Sequence, residues 1–131
     1  MKAVLIMGSD SDRGHAEKIT SSLEELGVGF EVLVASAHKS PEKVLEIIRS
    51  YKKGDRGAVV TIAGRSNALS GFVAANTEKP TFACPPFKDK AEMSINIHSA
   101  LQMQSNTPVL TVLDPGNCAL AVYRVLNLEN L

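Results

Sequence analysis

The sequence predicts an α/β protein, a three-layer, doubly wound parallel sheet of five strands. Three observations predict it. Short apolar runs alternate with segments of helical period along the whole chain, the pattern of a sheet covered by helices on both faces. The runs are nearly continuous in apolar and β-branched residues, as strands buried on two faces are. At 131 residues the chain suits one domain, 1–131, whose core needs neither disulfide nor structural metal.

The first strand covers Ala3 to Met7. Ala16, Ile19, Leu23 and Leu26 then recur at helical spacing, which predicts a helix from about Asp12 to Leu26 with Gly27 as its stop. The second strand is Phe30 to Ala35. Ser40 and Pro41 supply a cap and a first-turn proline for a helix reaching about Tyr51, with Val44, Leu45, Ile47 and Ile48 as its buried stripe. Ala58 to Ala63 is the third strand, and a helix from about Asn67 to Thr77 follows. That helix is rich in small residues, Ala68, Ser70, Gly71, Ala74 and Ala75, which permit close approach to a neighbouring element or subunit. The fourth strand is short, Thr81 to Ala83, ended by Cys84-Pro85-Pro86, where the X-Pro bonds also give a place for a cis peptide. A helix from about Ala91 to Gln102, a strand at Val109 to Leu113 and a helix from about Asn117 to the C-terminus complete five of each. Right-handed crossovers leave few topologies, of which the flavodoxin-like order 2-1-3-4-5 is the commonest, and ligands then sit outside the carboxyl ends of strands one and three.

Composition narrows the function. Lys and Arg total 14 against 14 Asp and Glu, so the chain lacks the global basic field that non-specific nucleic-acid binding uses. A small molecule fits better than a polymer. Cys84 and Cys118 have no CxxC or Cys/His spacing, which argues against a zinc site and a disulfide framework and reads as two reduced, buried thiols. The apolar opening from Met1 to Met7 is too short for a signal peptide or a membrane span, so a cytoplasmic protein without membrane contact is expected.

Three strand-to-helix turns would face one crevice. In the first, Gly8-Ser9-Asp10-Ser11-Asp12, Gly8 permits a tight exit from the strand, and the Ser9 and Ser11 hydroxyls with the first free helix amides can ring a phosphate. Asp12 would repel that anion but suits a helix cap or ribose hydroxyls; the plain alternative is a turn with an ordinary Ser/Asp cap. The second turn, Ser36-Ala37-His38-Lys39-Ser40-Pro41, carries the one histidine directly after a strand. An imidazole with an ordinary pKa of about 6.5 exchanges protons near neutrality. The competing reading is a hydrogen-bonded structural histidine. His15 and His98 fall within helical segments and read as structural or solvent-facing, and Lys39 is either an anion contact or a solvated side chain. In the third turn, Ala63 to Gly71, Gly64 opens the backbone while Arg65, Ser66 and Asn67 offer donors for a carboxylate or oxyanion; either Ser66 or Asn67 also serves as a helix cap. There is no GxxxxGK[ST], GxGxxG or GxSxG motif, which counts against triphosphatases, dinucleotide enzymes and acyl-transfer hydrolases.

Together, Met7 to Asp12, Ser36 to Glu42 and Ala63 to Gly71 resemble the phosphoribosylaminoimidazole carboxylases of purine biosynthesis, the PurE family, whose pattern reads Met-Gly-Ser-x-Ser-Asp, Ser-Ala-His-Arg/Lys-x-Pro and a glycine-rich third turn. Lys39, the Ala63-Gly64-Arg65-Ser66-Asn67 turn and Cys84-Pro85-Pro86 resemble the second class, which carboxylates aminoimidazole ribonucleotide with carbon dioxide. The first class carries a different third turn and moves a carboxyl group from an exocyclic nitrogen to the ring. The resemblance implies an enzyme without ATP, biotin, metal or other cofactor. It implies His38 as the base, Gly8, Ser9, Ser11 and Asp12 at ribose and phosphate, Ser36, Ala37 and Lys39 positioning the ligand, and Gly64, Arg65, Ser66, Asn67 and Ala68 at carbon dioxide and carboxylate. It also implies a homo-octamer. The sequence stops at Leu131, short of a further C-terminal helix by which family members reach a neighbouring subunit, and this puts the assembly in question. The alternatives are the carboxyl-shifting mutase and a non-catalytic nucleotide-binding paralogue. A flavin carrier would share the fold, yet no Trp and only two Tyr are present for stacking.

Overall fold

The computed structural model describes residues 2–51 and 54–130. Five parallel strands, β1 (Lys2–Met7), β2 (Gly29–Val34), β3 (Gly57–Ile62), β4 (Thr81–Ala83) and β5 (Leu110–Thr111), form one sheet in the order β2-β1-β3-β4-β5. This is the predicted doubly wound, flavodoxin-like arrangement. Six helices flank it: α1 (Arg13–Glu25), α2 (Pro41–Arg49), α3 (Leu69–Asn76), α4 (Lys90–Asn96), α5 (His98–Leu101) and α6 (Pro115–Leu126).

The strand periodicity of two divides the core. Ala3, Leu5 and Met7 of β1 join Ala58, Val60 and Ile62 of β3 in a cluster with Ile19 and Leu23 of α1 and Cys118, Ala119 and Val122 of α6. Val4, Ile6 and Val59 point the other way, onto Val44 and Ile48 of α2 and Leu69 and Val73 of α3. Leu45 and Ile47, also expected in the buried stripe of α2, are only partly buried against this second cluster. Gly27, with φ +72°, takes the left-handed conformation that ends α1.

Four local differences from the sequence reading have identifiable causes. The expected helix over Ala91 to Gln102 starts at Lys90, because Asp89 caps it by accepting the Glu92 amide at 2.8 Å, and it divides into α4 and α5 at Ile97, whose own backbone angles stay helical. Strand five is two residues long because only Phe82 and Ala83 offer it partners. Helix α6 begins at Pro115, with Asp114 accepting the Asn117 amide at 2.8 Å, so Asp114-Pro115 is the cap and first-turn proline. Ser40 precedes Pro41 as expected but does not cap α2; its hydroxyl turns back onto Ser36. No cis peptide occurs among the described residues, so Cys84-Pro85-Pro86 leaves β4 through trans bonds. The last helix ends at Leu126, a 3-10 turn follows over Leu128–Asn130, and Leu131 lies outside the described residues.

Candidate active site

The register places the carboxyl ends of the three left-hand strands level, because Met7 pairs with both Val34 and Ile62. The turns that leave them are stitched together by backbone: the Gly8 amide donates to Ile62 O and the Ala35 amide to Met7 O, each at 2.9 Å. A Cβ on Gly8 would lie 3.4 Å from that of Ala63, so the first and third turns run in contact. A side chain larger than a methyl at position 8 would press on the third turn. A Cβ on Gly64 would meet Pro86 at 3.9 Å, which brings the turn after β4 to the same end.

In the first turn Ser9 caps a 3-10 turn over Asp10–Asp12, its Oγ accepting the Ser11 amide at 3.3 Å, and the two serine hydroxyls lie 2.8 Å apart. Asp12 starts α1 without a side-chain cap bond, so the helix-cap reading of this carboxylate falls away and its oxygens stay free for a ligand. Burial raises the Asp12 pKa above the ordinary carboxylate value. Asp10 turns aside and pairs with Arg13 at 2.6 Å.

The second turn is wound tightly about Ser36. Its carbonyl accepts the Ser40 amide at 2.8 Å and the Ser40 hydroxyl at 3.2 Å, and its own Oγ accepts the Lys39 amide at 3.2 Å. Ala37, His38 and Lys39 therefore ride on a short loop over α2, with His38 and Lys39 exposed. The His38 ring reaches across to the third turn, Nε2 lying 3.4 Å from Ser66 O. A carbonyl only accepts, so the tautomer that makes this bond carries its hydrogen on Nε2 and keeps Nδ1 as the basic atom.

In the third turn Arg65 has φ +55°, a left-handed conformation uncommon outside glycine, which throws its exposed side chain and that of Ser66 outward while Asn67 is tucked in. Asn67 Oδ1 accepts the Ser70 amide at 3.2 Å, which makes Asn67 the side chain that caps α3. Helix α3 accordingly starts at Leu69, two residues later than the sequence suggests, and Ala68 is exposed at its threshold. Asn67 Nδ2 and Ser70 Oγ are buried and find no hydrogen-bond partner. The small residues of α3 have a local use as well: a Cβ on Gly71 would come within 3.0 Å of Met103 Sδ.

The thirteen expected site residues thus lie on the three turns at one end of the sheet. Ser99, which abuts the third turn, carried no sequence signal, since it comes from a distant segment, whereas Pro86, which meets Gly64 there, lies in the Cys84-Pro85-Pro86 segment that the sequence singles out. His15 is structural, as expected, with Nε2 3.1 Å from Cys84 O, and His98 is exposed. Cys84 and Cys118 are free, buried thiols; their mutual hydrogen bond and then burial push the Cys84 pKa far up, which disqualifies it as a nucleophile. No cluster of three metal-ligating side chains occurs among the described residues. A cleft of about 550 Å³ opens at the opposite end of the sheet, beside Arg56, Lys79 and Leu128. None of the three turns lines it, and its Arg56 is already paired with Glu129.

Fold and site define the class as a doubly wound α/β protein with three polar turns, one of them carrying His38, at the topological switch point. The family model for AIR carboxylase matches residues 2–131. A phosphoribosylaminoimidazole carboxylase of Archaeoglobus fulgidus is 51% identical over 130 residues, covering 99% of this chain and 71% of that one. The enzyme of the same name from Treponema denticola is 44% identical, over 95% of this chain and 79% of its own. The crystal structure of Treponema denticola PurE superposes with a TM-score of 0.89 at 41% identity, covering 97% of this chain and 80% of that chain. The chain belongs to the AIR carboxylase family, the PurE carboxy-lyases of purine biosynthesis.

Proposed function

We propose that this chain acts as one catalytic domain that carboxylates aminoimidazole ribonucleotide with carbon dioxide, without ATP, biotin, metal or other cofactor. The observation that carries the reading is His38 held across the crevice by Ser66 O, with Nδ1 free. An aminoimidazole is an enamine. Its amino nitrogen pushes electrons to the ring carbon, which attacks carbon dioxide; the new carbon–carbon bond leaves that ring carbon tetrahedral and still bearing hydrogen. His38 Nδ1 removes this proton, the carbon–hydrogen electrons restore the aromatic ring, and the carboxylate remains as product. The reverse sequence decarboxylates.

Gly8, Ser9, Ser11 and Asp12 are assigned to phosphate and ribose, which the helix amides behind Ser9 and the unbonded Asp12 carboxylate suit. Ser36, Ala37 and Lys39 position the ligand against His38. Gly64, Arg65, Ser66, Asn67 and Ala68 are assigned to carbon dioxide and the product carboxylate; the unpartnered Nδ2 of Asn67 is a donor in need of an acceptor there. Carbon dioxide has little to hold, so the site works chiefly by keeping it against the ring.

The subunits are proposed to assemble as the family's octamer, and the exposed Ile95, Leu101, Leu110 and Leu128 give apolar surface for it. No helix among the described residues is long and apolar enough to cross a membrane. A cytoplasmic enzyme acting on small molecules, with no nucleic-acid or membrane partner, is the setting this reading implies.

The test is to mix the purified protein with aminoimidazole ribonucleotide and bicarbonate, without ATP, and follow the carboxylated product by ultraviolet absorbance. Product formation is expected. Turnover of the nitrogen-carboxylated ribonucleotide alone would select the mutase instead, and inertness toward both would leave a binding protein.

A further inference from the structure

The third turn is held by a residue outside it. Ser99 stands in the first turn of α5, and its one hydroxyl lies within hydrogen-bond distance of three backbone groups. Oγ accepts the Asn67 amide at 3.0 Å. It also lies 2.9 Å from Arg65 O and 3.0 Å from Asn96 O, and its single proton serves one of these two carbonyls at a time. A hydroxyl has one donor and two acceptor lone pairs, so the amide bond and one carbonyl bond are satisfied together.

These bonds bracket the residue that matters. Arg65 and Asn67 flank Ser66, and Ser66 O is what the His38 ring meets at 3.4 Å. Arg65 sits at φ +55°, a conformation that costs a non-glycine residue free energy and persists only where surrounding contacts hold it. The Asn67 amide belongs to the same peptide unit as Ser66 O, so its bond to Ser99 Oγ fixes the direction of that carbonyl, and the Ser99 proton, when given to Arg65 O, holds the turn from the other side. We propose that Ser99 is a positioning residue: through the Arg65–Asn67 backbone it aims Ser66 O at His38 Nε2, fixing the imidazole tautomer that leaves Nδ1 as the base.

This inference rests on the assignment of His38 as the base, and its test separates the two. Nitrogen-15 NMR of ligand-free protein reads the His38 ring directly. The wild type is expected to show the Nε2–H tautomer, with the Asn67 amide protected from hydrogen exchange. Ser99→Ala is expected to mix the tautomers, speed Asn67 exchange at least ~10-fold, and lower kcat about 10-fold with KM changed less than threefold, while Ser99→Thr, which keeps a hydroxyl, restores most of each. Unchanged ring signals and kcat in Ser99→Ala, or an unprotected Asn67 amide in the wild type, would overturn the proposal. If the ring signals move as expected in a protein whose wild type carboxylates nothing, the role of Ser99 stands and the carboxylase reading falls.

Discussion

Asp12 sets the proposed binding role of one carboxylate against the stability of the fold. Its carboxyl is partly buried with no cap bond, and burial raises its pKa above the unfolded value. A raised acid pKa means the folded state holds its proton more tightly, so ionisation at neutral pH costs stability and the cost disappears as pH falls below the unfolded value of about 3.9. Asp12→Asn is therefore expected to raise the melting temperature at pH 7 and to lose that advantage near pH 3, in thermal scans at the two pH values. The same substitution is expected to weaken ribonucleotide binding. A variant less stable than the wild type at pH 7 would show that Asp12 makes a compensating contact.

At the scale of elements, α3 carries a test of how closely small residues are used. A Cβ at Gly71 would lie 3.0 Å from Met103 Sδ, the end of a flexible side chain. Alanine there gains about 1 kcal/mol of helix propensity against a modest displacement of Met103, so Gly71→Ala is expected near neutral in urea unfolding. Gly71→Val adds bulk the site cannot absorb and is expected to cost ~1–3 kcal/mol. Elements also show what was legible in sequence. Strand runs such as Val59-Val60-Thr61-Ile62 and the stripe Ala16, Ile19, Leu23 report their own burial, so four strands and α1 to α3 fell close to their true places. The division at Ile97 left no mark in the sequence pattern, and Ile97 keeps helical backbone angles. The Asp114-Pro115 start of α6 was written locally, in the same form as Ser40-Pro41, and was read two residues late. Ser40 itself misled in the other direction: its hydroxyl had a better partner behind it in Ser36.

For the whole molecule, parallel register turns three separate motifs into one site. Level strand ends put Gly8, Ala35 and Ala63 side by side, and that was foreseeable from topology alone. The bond between His38 and Ser66 O was not, since it joins loops 28 residues apart in sequence. Assembly is the other property at this scale. Light scattering on the purified protein is expected to give a mass eight times the 14.0 kDa of one chain, with the exposed Ile95, Leu101, Leu110 and Leu128 supplying apolar contact surface. A 14.0 kDa particle would leave the carboxylase site to work within a single subunit. The account as a whole stands on one proton transfer. Its most direct measurement is ribonucleotide binding and turnover of His38→Asn beside the wild type, for which binding within a few-fold and turnover lowered at least ~100-fold are predicted. Turnover retained by His38→Asn would contradict it.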